Sequence, residues 1–325
     1  MREFLETARA RRWSAGLERA VFGTTDSGHI ADMVTEAVTR TLSDAPTETL
    51  FLEVSTAIVL GMRLRSGNQI ALKIFQPSCN LRHLRAVRTI QAGLARDGYP
   101  APTPIAGPFR LGDGHAVVDA LLRVPPYDED VTHAQRRVLA CGLAEFIRRC
   151  SAFEPAPDLR HRPFPAPGGG LWGPRIRPEV DLSARTEGGE WIDDLGRRGL
   201  VLAHSGSGRD VIGHGDWLPH NVRLDGEDIV AVFDWDSVYL AAEPALVGKA
   251  IIWGSADEAM DFVDIYEVER GARFDAEERR LMIGVGVGMR AFLARWEYSQ
   301  QLDGTGLRDN LRNAGEALLE AIAPR

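Results

Sequence analysis

Apolar residues come in short, β-branched runs at three places after Pro46, over residues 50–54, 58–64 and 70–75. Runs of this length and composition predict strands. The last two are joined by Ser66-Gly67-Asn68-Gln69, a turn signal. Residues 30–42, ahead of the strands, repeat with mixed helical spacing. Behind them Leu81, Leu84, Val87 and Leu94 recur along one side of a helix that Asn80 can cap and Gly98 can end. Pro100, Pro102 and Pro104 then stiffen a connector, and residues 109–122 read as a hairpin turning at Gly112-Asp113-Gly114.

The texture changes at Val124-Pro125-Pro126-Tyr127, which marks the expected boundary between two domains. Helices are predicted over about 134–150 and 191–202, and the Pro-, Gly- and Arg-rich stretch 155–173 reads as irregular surface. A short strand–turn–strand block spans 213–238, and the remainder is mostly helical. The predicted class is α+β. Residues 1–123 make a small β-rich lobe, helical to about 48, then an antiparallel sheet with one helix; residues 124–325 make a larger, mainly helical lobe.

Composition adds limits. A chain of 325 residues is long for one small core, and 44% hydrophobic with 26% charged residues is ordinary for a soluble protein. No run approaches the roughly 18 apolar residues of a membrane span, and the charged start Met1-Arg2-Glu3 lacks the apolar core of a signal peptide, so a cytoplasmic protein without a membrane partner is expected. Cys79, Cys141 and Cys150 form no CxxC pair, which argues against a zinc cluster or a disulfide scaffold. The net charge of −8 disfavours nucleic acid and suits a cationic small molecule, although solubility explains it equally well. Of 38 basic residues only Lys73 and Lys249 are lysine. A lysine kept in so arginine-rich a chain suggests a place where a planar guanidinium would not serve.

One segment carries chemistry: Gly213-His214-Gly215-Asp216-Trp217-Leu218-Pro219-His220-Asn221, followed by an apolar run ending in Asp234-Trp235-Asp236. Any one of these residues is more often a turn or cap than a catalyst. Together they supply a carboxylate, Asp216, able to take the proton of an attacking hydroxyl. They also supply an amide at Asn221 and a hard carboxylate at Asp234, both suited to a divalent cation.

This HGDxxxxN…DxD pattern resembles the aminoglycoside-phosphotransferase and choline-kinase superfamily, whose fold is a two-lobed, protein-kinase-like one. The resemblance implies a small-molecule O-kinase using ATP or GTP with Mg²⁺, with Asp216 as the base and Asn221 and Asp234 as metal ligands. His214 and Asp236 would have supporting places. It implies that Lys73, in Ala71-Leu72-Lys73, steadies the nucleotide phosphates, with Ser55 and Thr56 in the first strand turn instead of a glycine loop. Acceptors in the superfamily include aminoglycosides, macrolides, choline, homoserine and fructosamines.

The chain also departs from the pattern. The helix over 80–97 has no Glu, and its one carboxylate is Asp97 at the end, so the usual acidic partner of the lysine is missing; Gln91 could bond the ammonium instead. That gap motivates an alternative, a kinase-shaped nucleotide-binding scaffold with little turnover. Gly284-Val285-Gly286-Val287-Gly288 has the wrong spacing for a dinucleotide turn and reads as close helix packing. The acidic run Asp257, Glu258, Asp261, Asp264, Glu267, Glu269 reads by default as a solvated helix face; in the superfamily this half often meets the substrate, and acids attract amino groups. Oligomeric state is not legible.

Overall fold

A computed structural model describes residues 1–10, 15–126, 131–159, 171–172, 181–183, 187–299 and 305–322. The described residues up to Arg123 form one compact unit and those from Val124 onward another.

In the first unit, helices α1 (Arg2–Ala10), α2 (Ala15–Phe22) and α3 (Ser27–Leu42) precede strands β1 (Pro46–Val54), β2 (Ile58–Leu64) and β3 (Gln69–Phe75). Helix α4 (Leu81–Arg96) follows, then β4 (Pro104–Leu111) and β5 (Gly114–Ala120). The strands form one antiparallel sheet in the order β1-β2-β3-β5-β4. Side chains alternate across each strand, and that alternation builds two layers. Ile70, Leu72 and Ile74 of β3 are buried with Val21, Ile30, Val34 and Val38 of the N-terminal helices. Phe75 and Val117 turn the other way and pack with Leu84 of α4. Lys73 shares that second face.

Asn80 caps α4, its side chain accepting from the backbone N–H groups of Arg82 at 3.0 Å and His83 at 3.3 Å. Such a cap contributes about 1 kcal/mol. Strand β4 starts five residues before the predicted hairpin because its alternation is interrupted: the register to β5 slips between Ala106 and Phe109, around Gly107 with its φ of 98°.

The second unit holds α5 (His133–Cys150), a 3₁₀ turn (Pro157–Leu159) and α6 (Glu190–His204). Four short strands follow: β6 (Asp210–His214), β7 (Val222–Asp225), β8 (Asp228–Val232) and β9 (Val238–Ala242). Helices α7 (Glu243–Ala250), α8 (Ala256–Arg270), α9 (Ala276–Ser299) and α10 (Thr305–Ile322) complete it. The single strand–turn–strand block expected over 213–238 is instead two antiparallel pairs, β6–β9 and β7–β8. A five-residue strand whose partner lies beyond an intervening hairpin gives little local signal.

The expected boundary is described only up to Pro126, with Tyr127 outside the described residues, as is most of the irregular stretch 155–173. The glycines of 284–288 lie inside α9, where a Cβ on Gly284 would come 2.3 Å from the Ala203 nitrogen of α6. They permit two helix backbones to touch. All three cysteines are free.

Candidate active site

The segment singled out in sequence begins on β6 and turns at its end. His214, the last residue of β6, is fully buried among Phe146 of α5, at 6.0 Å between ring centroids, and Trp217, at 5.8 Å. Trp217 is itself buried, and its indole N–H donates to the Leu139 carbonyl of α5 at 2.8 Å. An aromatic residue placed inside the loop thus pins the loop to a helix, and the pinned backbone is what orients Asp216.

Both His214 nitrogens are used. Nε2 bonds the Phe233 carbonyl at 2.8 Å, and Nδ1 accepts from the Asp216 backbone N–H at 3.2 Å. This pattern calls for a neutral ring with its hydrogen on Nε2. Burial holds the ring below the usual histidine range, against the Phe233 carbonyl and the carboxylates of Asp216, Asp234 and Asp236.

Three backbone-level ties draw the 234–236 segment against the loop. The first is the His214–Phe233 bond; the others are Gly215 N–H to Ser237 O at 2.8 Å and Phe233 N–H to Asn221 O at 2.8 Å. Inside the loop, Nδ2 of Asn221 donates to Oδ2 of Asp216 at 2.7 Å and to its backbone carbonyl at 3.0 Å. Asp234 adopts the left-handed conformation, φ 57° and ψ 43°. For a non-glycine residue that costs about 1 kcal/mol or more and is retained where surrounding structure imposes it. The hydroxyl of Tyr239 on β9 is pushed above the usual tyrosine range by burial first, then by Asp216, Asp236 and Asp234. Three carboxylates therefore share one neighbourhood, with His214 and Tyr239 inside it.

The donor set suits a hard cation. The Asn221 amide nitrogen is committed to Asp216, so its oxygen is the end left for a metal, and Asp234 adds a carboxylate. Close as these groups are, no set of three or more His, Cys, Asp or Glu side chains among the described residues is arranged to hold a metal ion by itself. A cation here would take two protein oxygens and complete its shell from phosphate and water, which is the habit of Mg²⁺.

The remaining expected site residues lie in the sheet unit. Lys73 is half-buried on β3, its Nζ 5.3 Å from the Phe75 ring centroid. Ser55 and Thr56 form the exposed β1–β2 turn, where Ser55 N–H bonds Ala57 O at 2.9 Å and Gln76 donates to Thr56 O at 3.1 Å.

Sequence reasoning missed Asp119. In the β3–β5 register Lys73 pairs with Val117 and Ala71 with Asp119, which makes Asp119 a diagonal neighbour of Lys73 on the same sheet face. Arg88 of α4 donates to Asp119, to Ala106 O at 2.9 Å and to Val118 O at 2.8 Å. Gln91 does not serve the lysine directly; its Nε2 bonds Pro102 O at 2.8 Å and Asp119 at 3.2 Å. Burial pushes the Asp119 carboxyl up, while Arg88, Gln91 and Lys73 pull it down. Here the helix brings the cation and the strand brings the acid.

Much of the acidic run on α8 is spoken for. Arg136 bonds Glu258 and Asp261, at 2.5 and 2.9 Å, and Arg279 bonds Glu267 at 2.6 Å; Asp257, Asp264 and Glu269 remain exposed. A cavity of about 420 Å³ lined by Arg148, Cys150, Arg209, Glu243, Tyr266 and Arg270 opens at the Asp210 end of β6, and none of residues 214–221 lines it.

A pinned loop with a carboxylate and an amide, tied to a second carboxylate behind a short hairpin, has the residue types that phosphoryl transfer uses. The model of the phosphotransferase enzyme family matches residues 62–244, more than half of the chain, and the chain belongs to that family. It is an enzyme of the small-molecule kinase type, with the α+β, protein-kinase-like fold expected of it. In structure it is similar to an amicoumacin kinase in complex with AMP-PNP, Ca²⁺ and Ami, with a TM-score of 0.64 at 11% identity, covering 90% of this chain and 95% of that one. A microcompartment-associated aminopropanol kinase gives a TM-score of 0.61 at 14% identity, over 91% of this chain and 99% of that one. The aminoglycoside phosphotransferase APH(4)-Ia, as a thermostable mutant, gives 0.60 at 12% identity, over 90% and 100%. No curated protein matches the chain in sequence.

Proposed function

We propose that this protein is a Mg²⁺-dependent kinase that moves the γ-phosphoryl group of ATP or GTP onto a hydroxyl of a small, amino-substituted molecule. The observation that carries the reading is the 2.7 Å bond between Asn221 and the Asp216 carboxylate, in a loop tied to the Asp234 segment. In the reaction the acceptor oxygen attacks Pγ, the bond from Pγ to the bridging oxygen breaks, and the nucleoside diphosphate leaves. The hydroxyl proton passes to Asp216. Asn221 and Asp234 would hold the cation, which when bound offsets charge on the phosphate oxygens. His214 holds the Asp216 backbone, and Asp236 sits beside the pair as a supporting acid.

In this reading residues 1–123 and 124–325 act as the two lobes. Lys73 serves the α- and β-phosphates as a point charge, and Ser55 and Thr56 meet the nucleotide from the β1–β2 turn. Asp119 is the counter-charge that the helix over 80–97 does not provide. Its presence removes the motive for the low-turnover scaffold, since the lysine has an acid on a neighbouring strand.

The acceptor is the least constrained part. Acidic side chains left exposed on α8 favour an amino-substituted one, and solved neighbours include kinases of amicoumacin and aminopropanol and a spectinomycin phosphotransferase. An antibiotic, and with it a role in resistance, fits; choline-, homoserine- or fructosamine-like metabolites are the alternative. No described helix is long and apolar enough to cross a membrane, and a cytoplasmic address would suit an ATP-dependent enzyme.

A coupled ADP-release screen over amino sugars, macrolides, peptides and small amino alcohols tests the proposal. One class should raise ADP release above the rate with water. Asp216→Asn should then lower that rate by about a hundredfold to ten-thousandfold while leaving nucleotide affinity nearly unchanged. Near-normal turnover in this variant would remove Asp216 as the base.

A further inference from the structure

The second of the two lysines is in the helical unit, and the phosphoryl-transfer scheme does not use it. Lys249 lies on α7 and is 9% exposed. An ammonium is costly to bury, and a buried one keeps its charge only with compensating partners. Its Nζ donates to the Tyr239 hydroxyl at 3.3 Å and lies 5.0 Å from the Tyr239 ring centroid. Tyr239 in turn stands against the backbone that leads into Asp216. It pairs with Gly213 across β6–β9, and a Cβ on Gly215 would fall 2.3 Å from its hydroxyl oxygen. Glycine at 215 is what allows this approach.

Carboxylates act on both members of the pair. Asp216, from the β6 loop, acts on Lys249 and favours its charged form; Asp216, Asp236 and Asp234 all act on Tyr239, which also bonds Ser237. On the α9 side, Gly248, the residue before Lys249, faces the Met282 backbone carbonyl and the Val285 side chain. The result is a buried cation with the carboxylate of the base in its field. Burial drives the Lys249 ammonium down to about 8, with Asp216 opposing.

We propose that Lys249 is a positioning residue for the phosphoryl-transfer base, a buried ammonium that braces the Gly215–Asp216 backbone through Tyr239 and supplies the counter-charge to the Asp216 carboxylate. The proposal rests on the reading of Asp216 as the base. Lysine suits the place because a compact ammonium on a slender stem needs fewer buried acceptors than the five-donor fork of a guanidinium. Bracing from beneath keeps the carboxylate aimed at the acceptor.

The scarcity of lysine makes the test direct. Protein labelled with ¹³C-lysine has two lysine side chains to follow by NMR. The Lys249 signal should titrate well below the ordinary lysine range and fall further in Asp216→Asn, while the Lys73 signal holds. An unchanged Lys249 midpoint in Asp216→Asn would overturn the proposal, and this readout does not depend on turnover. A working Asp216→Asn enzyme would instead overturn the base assignment.

Activity is read as ADP release from ATP with water as acceptor. Lys249→Met should lower kcat about tenfold to a hundredfold with KM for ATP nearly unchanged. The fall in rate above pH about 8 should vanish in Lys249→Met. A lower Tm with an unchanged kcat would reduce Lys249 to a packing residue. Should Lys249→Met not fold, Tyr239→Phe keeps the ring and removes the bridging hydroxyl. It should shift the Lys249 midpoint and lower kcat, and no change in either would contradict the brace.

Discussion

The two lysines occupy opposite kinds of environment, and the contrast separates two tasks. Lys73 is half-buried on a strand face that also carries Asp119, with Arg88 and Gln91 bonded to that acid. Lys249 is buried in helical packing, with Tyr239 as its hydrogen-bond acceptor and Asp216 in its field. A half-exposed cation beside charged groups keeps its charge and can exchange partners, as binding a polyanion requires. A cation in a dry core has little freedom to move, so it holds protein groups in place. The same residue type thus serves a ligand in one unit and the protein itself in the other, under the mechanism proposed above.

That contrast can be broken at either end. The largest effect after loss of the base is expected from Lys73→Met, which should lower kcat/KM for the nucleotide by about a hundredfold, mostly through KM. Steady-state titration of ATP checks this; an effect confined to kcat would put Lys73 in the same class as Lys249. A smaller change is expected from Asp119→Asn, which keeps the shape and bonds of the site but removes the counter-charge. It should raise KM for ATP by about tenfold or less, leaving the Lys249 NMR signal where it was. An Asp119→Asn enzyme with wild-type KM would mean that Lys73 is held without its strand neighbour.

How far the sequence could be read depended on the range of each interaction. Local devices were legible: the Asn80 cap, the alternation of 70–75, and the HGDxxxxN spacing, because each sits within a few residues of chain. Asp119 was not, since what makes it a partner of Lys73 is a strand register between segments more than forty residues apart. The β6–β9 pair was hidden for the same reason. Lys249 stood out by composition alone; its contact with Tyr239 depends on Gly215 having no side chain, a coincidence of packing that no periodicity reports. The acidic run on α8 was legible as charge but not as pairing, because Arg136 and Arg279 reach it from other helices.

Under the proposed mechanism, Asp216, Asn221 and Asp234 act around one metal–triphosphate. Calorimetry of AMP-PNP binding with and without Mg²⁺, on the wild type and Asp234→Ala, addresses it most directly. Binding should be tight and Mg²⁺-dependent in the wild type, and Asp234→Ala should lose that dependence. Binding by Asp234→Ala that is as strong and as Mg²⁺-dependent as in the wild type would contradict the mechanism.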